Sequence, residues 1–240
     1  MSFQQQKILL TGLPGSGKHR IKQLLQSQFD LTEETVFVDS DQNTDFNFEQ
    51  AWCVIDVRSV LNPEQDTLAE SHLKCLLSKV NGVVFNFMEA ADLDTQSFWN
   101  KWVRQQSAKL PIVRVLNQRF PTTWQGFELN KQIRPAQFQK ADFQLKQLQT
   151  HEFKVNTVYL DHLLMGLDNS KQNLGMQILR VQAVIDTFEY ENLVAVEGTP
   201  HRWDTYAADS NQQSGWVKIQ GIDLDQAWLQ EIIQASLLRP

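Results

Sequence analysis

Lys7-Ile-Leu-Leu-Thr11-Gly12-Leu-Pro-Gly-Ser-Gly17-Lys18-His19 decides how the rest of this chain is read. An apolar run that stops at a glycine has the pattern of a strand buried on both faces. The next seven residues match G-x-x-x-x-G-K, after which Ile21, Leu24, Leu25 and Phe29 recur at helical spacing. Strand, glycine-rich turn and helix form the context in which such a loop binds phosphate. The glycines let successive N–H groups curl around an anion, the helix N-terminus adds positive potential, and a lysine reaches the outer phosphates. Gly12, Gly15, Ser16, Gly17, Lys18 and His19 are therefore the candidate nucleotide-binding residues of this loop.

The pattern breaks at its eighth position. A Ser or Thr hydroxyl normally ligates Mg²⁺ there, and this chain has His19. Magnesium prefers oxygen, so imidazole is a poor replacement and the ion is expected to be weakly held. Ser16, inside the loop, is not an obvious substitute. Asp39 and Asp41 follow a second apolar run at 35–38, and Asp56 ends a third at 52–55. Carboxylates at such ends can hold magnesium through water or simply cap turns. Asp56 is the preferred candidate for an indirect Mg²⁺ ligand.

Further out, apolar runs at 83–85 and 111–115 bring the strand count to five, separated by helix-period segments. This is the alternation of a doubly wound, mostly parallel α/β sheet of the P-loop NTPase kind. Asn62-Pro63 offers an N-cap with proline at the first helical position. Ala69, Leu73, Leu76, Leu77 and Val80 follow as a stripe, and Phe98 and Trp102 mark another helix. From 116 to 150 the chain turns glutamine-rich with scattered aromatics, a connection with room for an amphipathic helix carrying Phe138, Phe143, Leu145 and Leu148. The last ninety residues read β, α, β, β, β, α, a small α+β domain. In it Val217, Ile219 and Gly221 alternate with Trp216, Lys218 and Gln220, and Asp225 caps a final helix with Trp228, Leu229, Ile232 and Ile233 inward. The expected boundaries are a nucleotide-binding domain at 1–120, a linker at 121–150 and the α+β domain at 151–240.

Composition excludes several classes. A net charge of −6 argues against a primary role on nucleic acid, whose phosphates call for a basic surface. Two cysteines, Cys53 and Cys75, supply neither a disulfide framework nor a zinc ribbon. No charged leader and no apolar run of about 20 residues is present, so no membrane association and a cytoplasmic location are expected. The five histidines are scattered. Only His72, three residues before Cys75, shares a helix face with another metal-type ligand, and one such pair is too sparse for a site.

Several pieces in order resemble the CobW-like P-loop GTPases and metal chaperones. These are the phosphate loop with Ile21-Lys-Gln-Leu-Leu25, Val54-Ile-Asp56, and the run from Leu73 to Val83-Val-Phe-Asn86. In the last third they are Ile178-Leu-Arg180-Val, Leu193-Val-Ala-Val-Glu-Gly198 and Trp216-Val-Lys-Ile-Gln-Gly-Ile-Asp-Leu224. The resemblance implies GTP (ATP being the alternative) as the nucleotide, and metal handling with a client metalloprotein as partner. It also implies that Asn86 and Glu89, in Asn86-Phe-Met-Glu89, stand where that family reads guanine with Asn-Lys-x-Asp. Phe87 there either covers the base or belongs to the core.

The losses are equally specific. The family's Cys-x-Cys-Cys and Glu-Ser/Thr-Ser-Gly segments are absent, which fits a deletion between Asp39 and Trp52, and Arg-x-Lys-Gly has become Arg180-Val-Gln-Ala183. A shortened, degenerate member is therefore expected, with weak or lost GTP hydrolysis and no family-type metal site. Two rival readings are an ATP-dependent small-molecule kinase, for which no arginine-bearing lid stands out, and a non-catalytic partner-binding protein working through its C-terminal sheet.

Overall fold

A computed structural model describes residues 6–40, 48–128, 143–145, 147–173, 175–209 and 212–237. The chain divides into two compact units, Met1–Leu145 and Lys146–Pro240. Asp41 and Phe138, singled out above, lie outside the described residues.

In the first unit, β1 (Ile8–Thr11), β2 (Val36–Val38), β3 (Gln50–Asp56), β4 (Gly82–Asn86) and β5 (Ile112–Arg114) form one parallel sheet in the order β2-β1-β3-β4-β5. All residues of β1 and β4 are buried, as are all of β3 except Asp56, because helical crossovers cover a parallel sheet on both faces. The crossovers are α1 (Lys18–Phe29), α2 (Thr67–Leu77) and α3 (Leu93–Gln106). The chain leaves β1 toward β2 and then returns past β1 to β3. The strand order thus reverses between β1 and β3, and ligands of open α/β sheets bind beyond the carboxyl ends of the strands at such a reversal. The loop 12–17 leaves β1 at that point.

Two details of this unit differ from the sequence expectation. Helix α2 begins at Thr67, not beside Pro63, because Asn62 and Asp66 close a local turn. The Asn62 amide donates to Asp66 Oδ2 at 2.7 Å, and Asn62 Oδ1 accepts from the Glu64 amide at 2.9 Å. The segment from 121, expected to be a linker, instead packs on the sheet as far as it is described. Trp124 stacks on Phe120 and meets Phe29, Trp52 and Phe127 edge-on, and a Cβ on Gly82 would strike the Phe127 ring at 2.6 Å. Trp52 donates to Gln50 Oε1, and Gln50 donates to the Phe127 carbonyl, so the cluster's buried polar atoms are satisfied.

The second unit is an antiparallel sheet in the order β6-β10-β7-β8-β9, from β6 (Gln149–Lys154), β7 (Gln177–Ile185), β8 (Val194–Thr199), β9 (Arg202–Ala207) and β10 (Trp216–Ile222). Helices α4 (Leu160–Asn173) and α5 (Gln226–Ser236) cover one face, with Leu163, Leu167, Leu229 and Ile233 packed against Val181, Val217 and Ile219. Asp225 caps α5 by accepting from the Trp228 amide at 3.1 Å. Trp228 itself, expected inside, is 42% exposed at the edge of that core, where its indole Nε1 donates to the Ser170 hydroxyl on α4 at 3.2 Å. The expected pattern has one strand fewer; the additional one is β9, an edge strand paired with β8. In place of a helix reaching Leu148, the described residues 143–145 and 147–148 are irregular and β6 follows at once.

Candidate functional site

The loop takes its shape from three glycines. Gly12, Gly15 and Gly17 have φ of 146°, 83° and 82°, values at which a side chain is strained. Space demands glycine as well. A Cβ on Gly12 would lie 2.3 Å from the Val54 carbonyl oxygen, and one on Gly17 would lie 2.3 Å from Asn86 Nδ2. The loop therefore rests directly on β3 and on the end of β4, and α1 starts immediately after it at Lys18.

Lys18 is buried. Its ammonium donates to the carbonyls of Gly12 at 2.7 Å and Leu13 at 3.0 Å, and lies 3.3 Å from Asp39 Oδ1. Thr11 Oγ1 donates to Asp39 Oδ2 at 3.0 Å. Asp39, at the end of β2, is thus the carboxylate that meets the loop lysine. Ser16 Oγ is buried within the loop, close to Gly12, and has no hydrogen-bond partner among the described residues. A buried hydroxyl left in this way calls for a ligand or water, since its desolvation is otherwise uncompensated. His19 is exposed on the first turn of α1.

The other predicted residues stand along the same edge of the sheet. Asn86 is fully buried at the end of β4. Its Nδ2 donates to the Ser16 carbonyl at 3.1 Å, and its Oδ1 accepts from the Phe87 amide at 3.0 Å and from Arg20 Nη1 at 2.8 Å. Arg20 Nη2 reaches on to Glu89 Oε1 at 2.7 Å. Burial works to raise the Glu89 pKa, but hydrogen bonds from the backbone and from Arg20 outweigh it and hold the carboxyl below its ordinary range. Asp56 meets Arg58 two residues on, which donates from Nε at 3.0 Å and Nη2 at 2.7 Å while the Arg58 amide donates to Oδ1 at 3.0 Å. That closes a turn, the alternative role set out for Asp56 above. Both arginines lie over the Phe87 ring, with Cζ 4.3 Å (Arg20) and 3.8 Å (Arg58) from its centroid. Phe87 is neither wholly core nor open to a base, whereas Met88 is buried.

The structure thus gathers Gly12, Gly15, Ser16, Gly17, Lys18, Asn86 and Glu89 at the ends of β1 and β4. Sequence reasoning missed Arg20 and Arg58. An Asp-x-Arg at a strand end hints at Arg58, but nothing local marks Arg20, whose partners are 66 and 69 residues away. Elsewhere, burial pushes the Cys53 thiol up to about 12, so it is no nucleophile at neutral pH, and pushes the His72 imidazole down. Among the described residues no group of three or more His, Cys, Asp or Glu could hold a metal ion, and no helix is long and apolar enough to cross a membrane.

No protein-family model matches the sequence, and no curated protein matches it. Among solved structures, the chain is similar to a zinc-bound triple mutant of the YjiA GTPase at 7% identity and a TM-score of 0.35, covering 98% of this chain and 91% of that one. It is similar also to zinc-bound YjiA GTPase from E. coli at 7% identity and a TM-score of 0.34, covering 89% and 74%.

Proposed function

We propose that the first unit binds a purine nucleoside triphosphate by its phosphates at the loop 12–18, and that it hydrolyses it slowly or not at all. GTP is the nucleotide that the resemblance to CobW-like GTPases implies. The observation that carries this reading is the loop itself: a G-x-x-x-x-G-K sequence in positive-φ glycine conformations, between β1 and α1, at the point where the strand order reverses. The unpartnered Ser16 hydroxyl inside the loop adds to it. Binding draws the Lys18 ammonium from the Gly12 and Leu13 carbonyls and from Asp39 onto the outer phosphates, exchanging one set of charge-assisted contacts for another.

Slow turnover follows from the cation side. Mg²⁺ neutralises the charge that develops on a transferring phosphoryl group. Here the first helical turn offers the imidazole of His19 in place of a hydroxyl, and Asp56 is neutralised by Arg58. Asp39 and Ser16 remain as oxygen donors beside the loop.

Thermal unfolding of the full chain with GTP, GDP and ATP, each with and without Mg²⁺, tests the binding. A ligand at ten times its Kd stabilises the fold by about 1.4 kcal/mol, a readable rise in Tm. The rise is expected with a triphosphate and should vanish in Lys18→Ala; no rise with any nucleotide overturns the reading. Steady phosphate release that Lys18→Ala abolishes would contradict slow turnover.

A further inference from the structure

Three acceptor side chains stand at the ends of β3 and β4, where they border the loop: Asp56, Asn86 and Glu89. Each is already taken by an arginine of the same unit. Arg58 holds both oxygens of Asp56. Arg20 spans the other two, with one terminal nitrogen on Asn86 Oδ1 and the other on Glu89 Oε1. The aromatic ring between them, Phe87, lies under both guanidiniums. The segment is anchored to the loop from below, through Asn86 Nδ2 on the Ser16 carbonyl and by the close approach of Phe87 to Gly17.

We propose that Arg20 closes this edge to the base, so that the site takes a nucleoside polyphosphate by its phosphates without distinguishing guanine from adenine. The inference rests on the phosphate-binding reading above. A guanine is told from an adenine by its N1–H and N2–H₂ donors, which need a carboxylate or carbonyl acceptor, and by a surface on which its ring can stack. Glu89 is the carboxylate of this segment that Arg20 joins to Asn86, and through it to the loop. A base donor at Oε1 competes with a guanidinium bonded at 2.7 Å, an ion pair that a neutral donor matches only in part. Stacking on Phe87 requires two cations to leave its ring. Sites built to hydrogen-bond one substrate commonly reject its analogue by about 10⁴-fold. With Glu89 Oε1 held by Arg20 and the Phe87 ring covered by two guanidiniums, that discrimination loses its acceptor geometry and its stacking surface. Arg20 is thus the specificity-determining residue, acting by occupying the acceptors.

The test is a titration calorimetry series on the full chain in Mg²⁺ with GTP, ATP and inorganic tripolyphosphate. All three are expected to bind, with the Kd values of GTP and ATP within about threefold of each other. A tenfold or greater preference for either nucleotide overturns the inference and leaves phosphate binding standing. Failure of all three to bind overturns the phosphate-binding reading and the inference with it. Arg20→Ala releases Glu89, and the ratio of ATP to GTP dissociation constants is then expected to rise at least fivefold. Arg20→Lys keeps the charge but loses the two-pronged grip, and serves if the alanine variant does not fold. A ratio unchanged from the parent in a folded variant overturns the role of Arg20.

Discussion

The two sheets place their polar side chains in opposite ways. In the parallel sheet every residue of β1 and β4 is buried and β3 has only Asp56 partly exposed, so polar chemistry is pushed to the strand ends. There Lys18, Arg20 and Arg58 hold the carboxylates of Asp39, Glu89 and Asp56, which follow or end β2, β4 and β3. In the antiparallel sheet, buried and partly exposed residues alternate along β10 and the middle of β7, and polar side chains lie on the face away from the helices. Arg180 and Gln182 on β7 meet Glu197 on β8 at 3.5 and 3.0 Å, and Lys218 and Gln220 lie opposite them on β10. A sheet covered on both faces concentrates its polar groups into a connected cluster. A sheet covered on one face spreads them over solvent-facing contacts, each worth little.

Equivalent substitutions should therefore cost much more at the rim than on the open face. The largest contrast is between glycines. Gly12→Ala places a Cβ 2.3 Å from a backbone oxygen at a positive φ, whereas at Gly215 (φ 85°) the nearest atom is the Val155 carbonyl oxygen at 3.1 Å. Urea unfolding should show a loss of roughly 3 kcal/mol or more for Gly12→Ala and about 1 kcal/mol for Gly215→Ala. Equal losses would mean that the loop yields as easily as a surface turn.

A smaller contrast comes from side chains. Asn86→Ala strips partners from the Ser16 carbonyl, the Phe87 amide and Arg20 in a buried setting, and should cost about 2–3 kcal/mol. Gln182→Ala on the open face should stay within about 0.5 kcal/mol by the same measurement. The smallest effect is one of pH. Since the folded Glu89 carboxyl sits below its ordinary value, its contribution is complete above the unfolded pKa of about 4.3 and is lost as pH falls through the depressed folded value. Glu89→Gln should therefore be less stable than the parent at pH 6 and approach it toward pH 3. A gap that stays constant with pH would show that the Arg20 pair adds nothing as an ion pair.

The strands were legible because burial on two faces leaves a short, nearly unbroken apolar run, and Ile8–Thr11, Gln50–Asp56 and Gly82–Asn86 each contain one. The loop was legible because only glycine suits its backbone, so a steric requirement is written directly into residue type. Helix α2 was placed four residues early because Asn62-Pro63 satisfies a capping rule and a turn rule equally, and the Asp66 carboxylate decided for the turn. Trp228 was assigned inward because period alone cannot separate the edge of an apolar stripe from its centre. The aromatics after 116 have the texture of a connection because the surface that receives them belongs to β3, α1 and the start of β4.

The sequence by itself determined the two sheet types, the glycine loop after β1 and the histidine that follows its lysine, since each rests on neighbours within a few residues or on a repeating period. Tertiary structure alone decided what the polar residues at the strand ends do. Arg20, Asn86 and Glu89 are brought together by the packing of α1 beside the end of β4, across separations of 66 and 69 residues. Contacts over such distances depend on strand order and helix placement. Both follow from how the whole sheet buries its apolar surface, and no local pattern records the outcome.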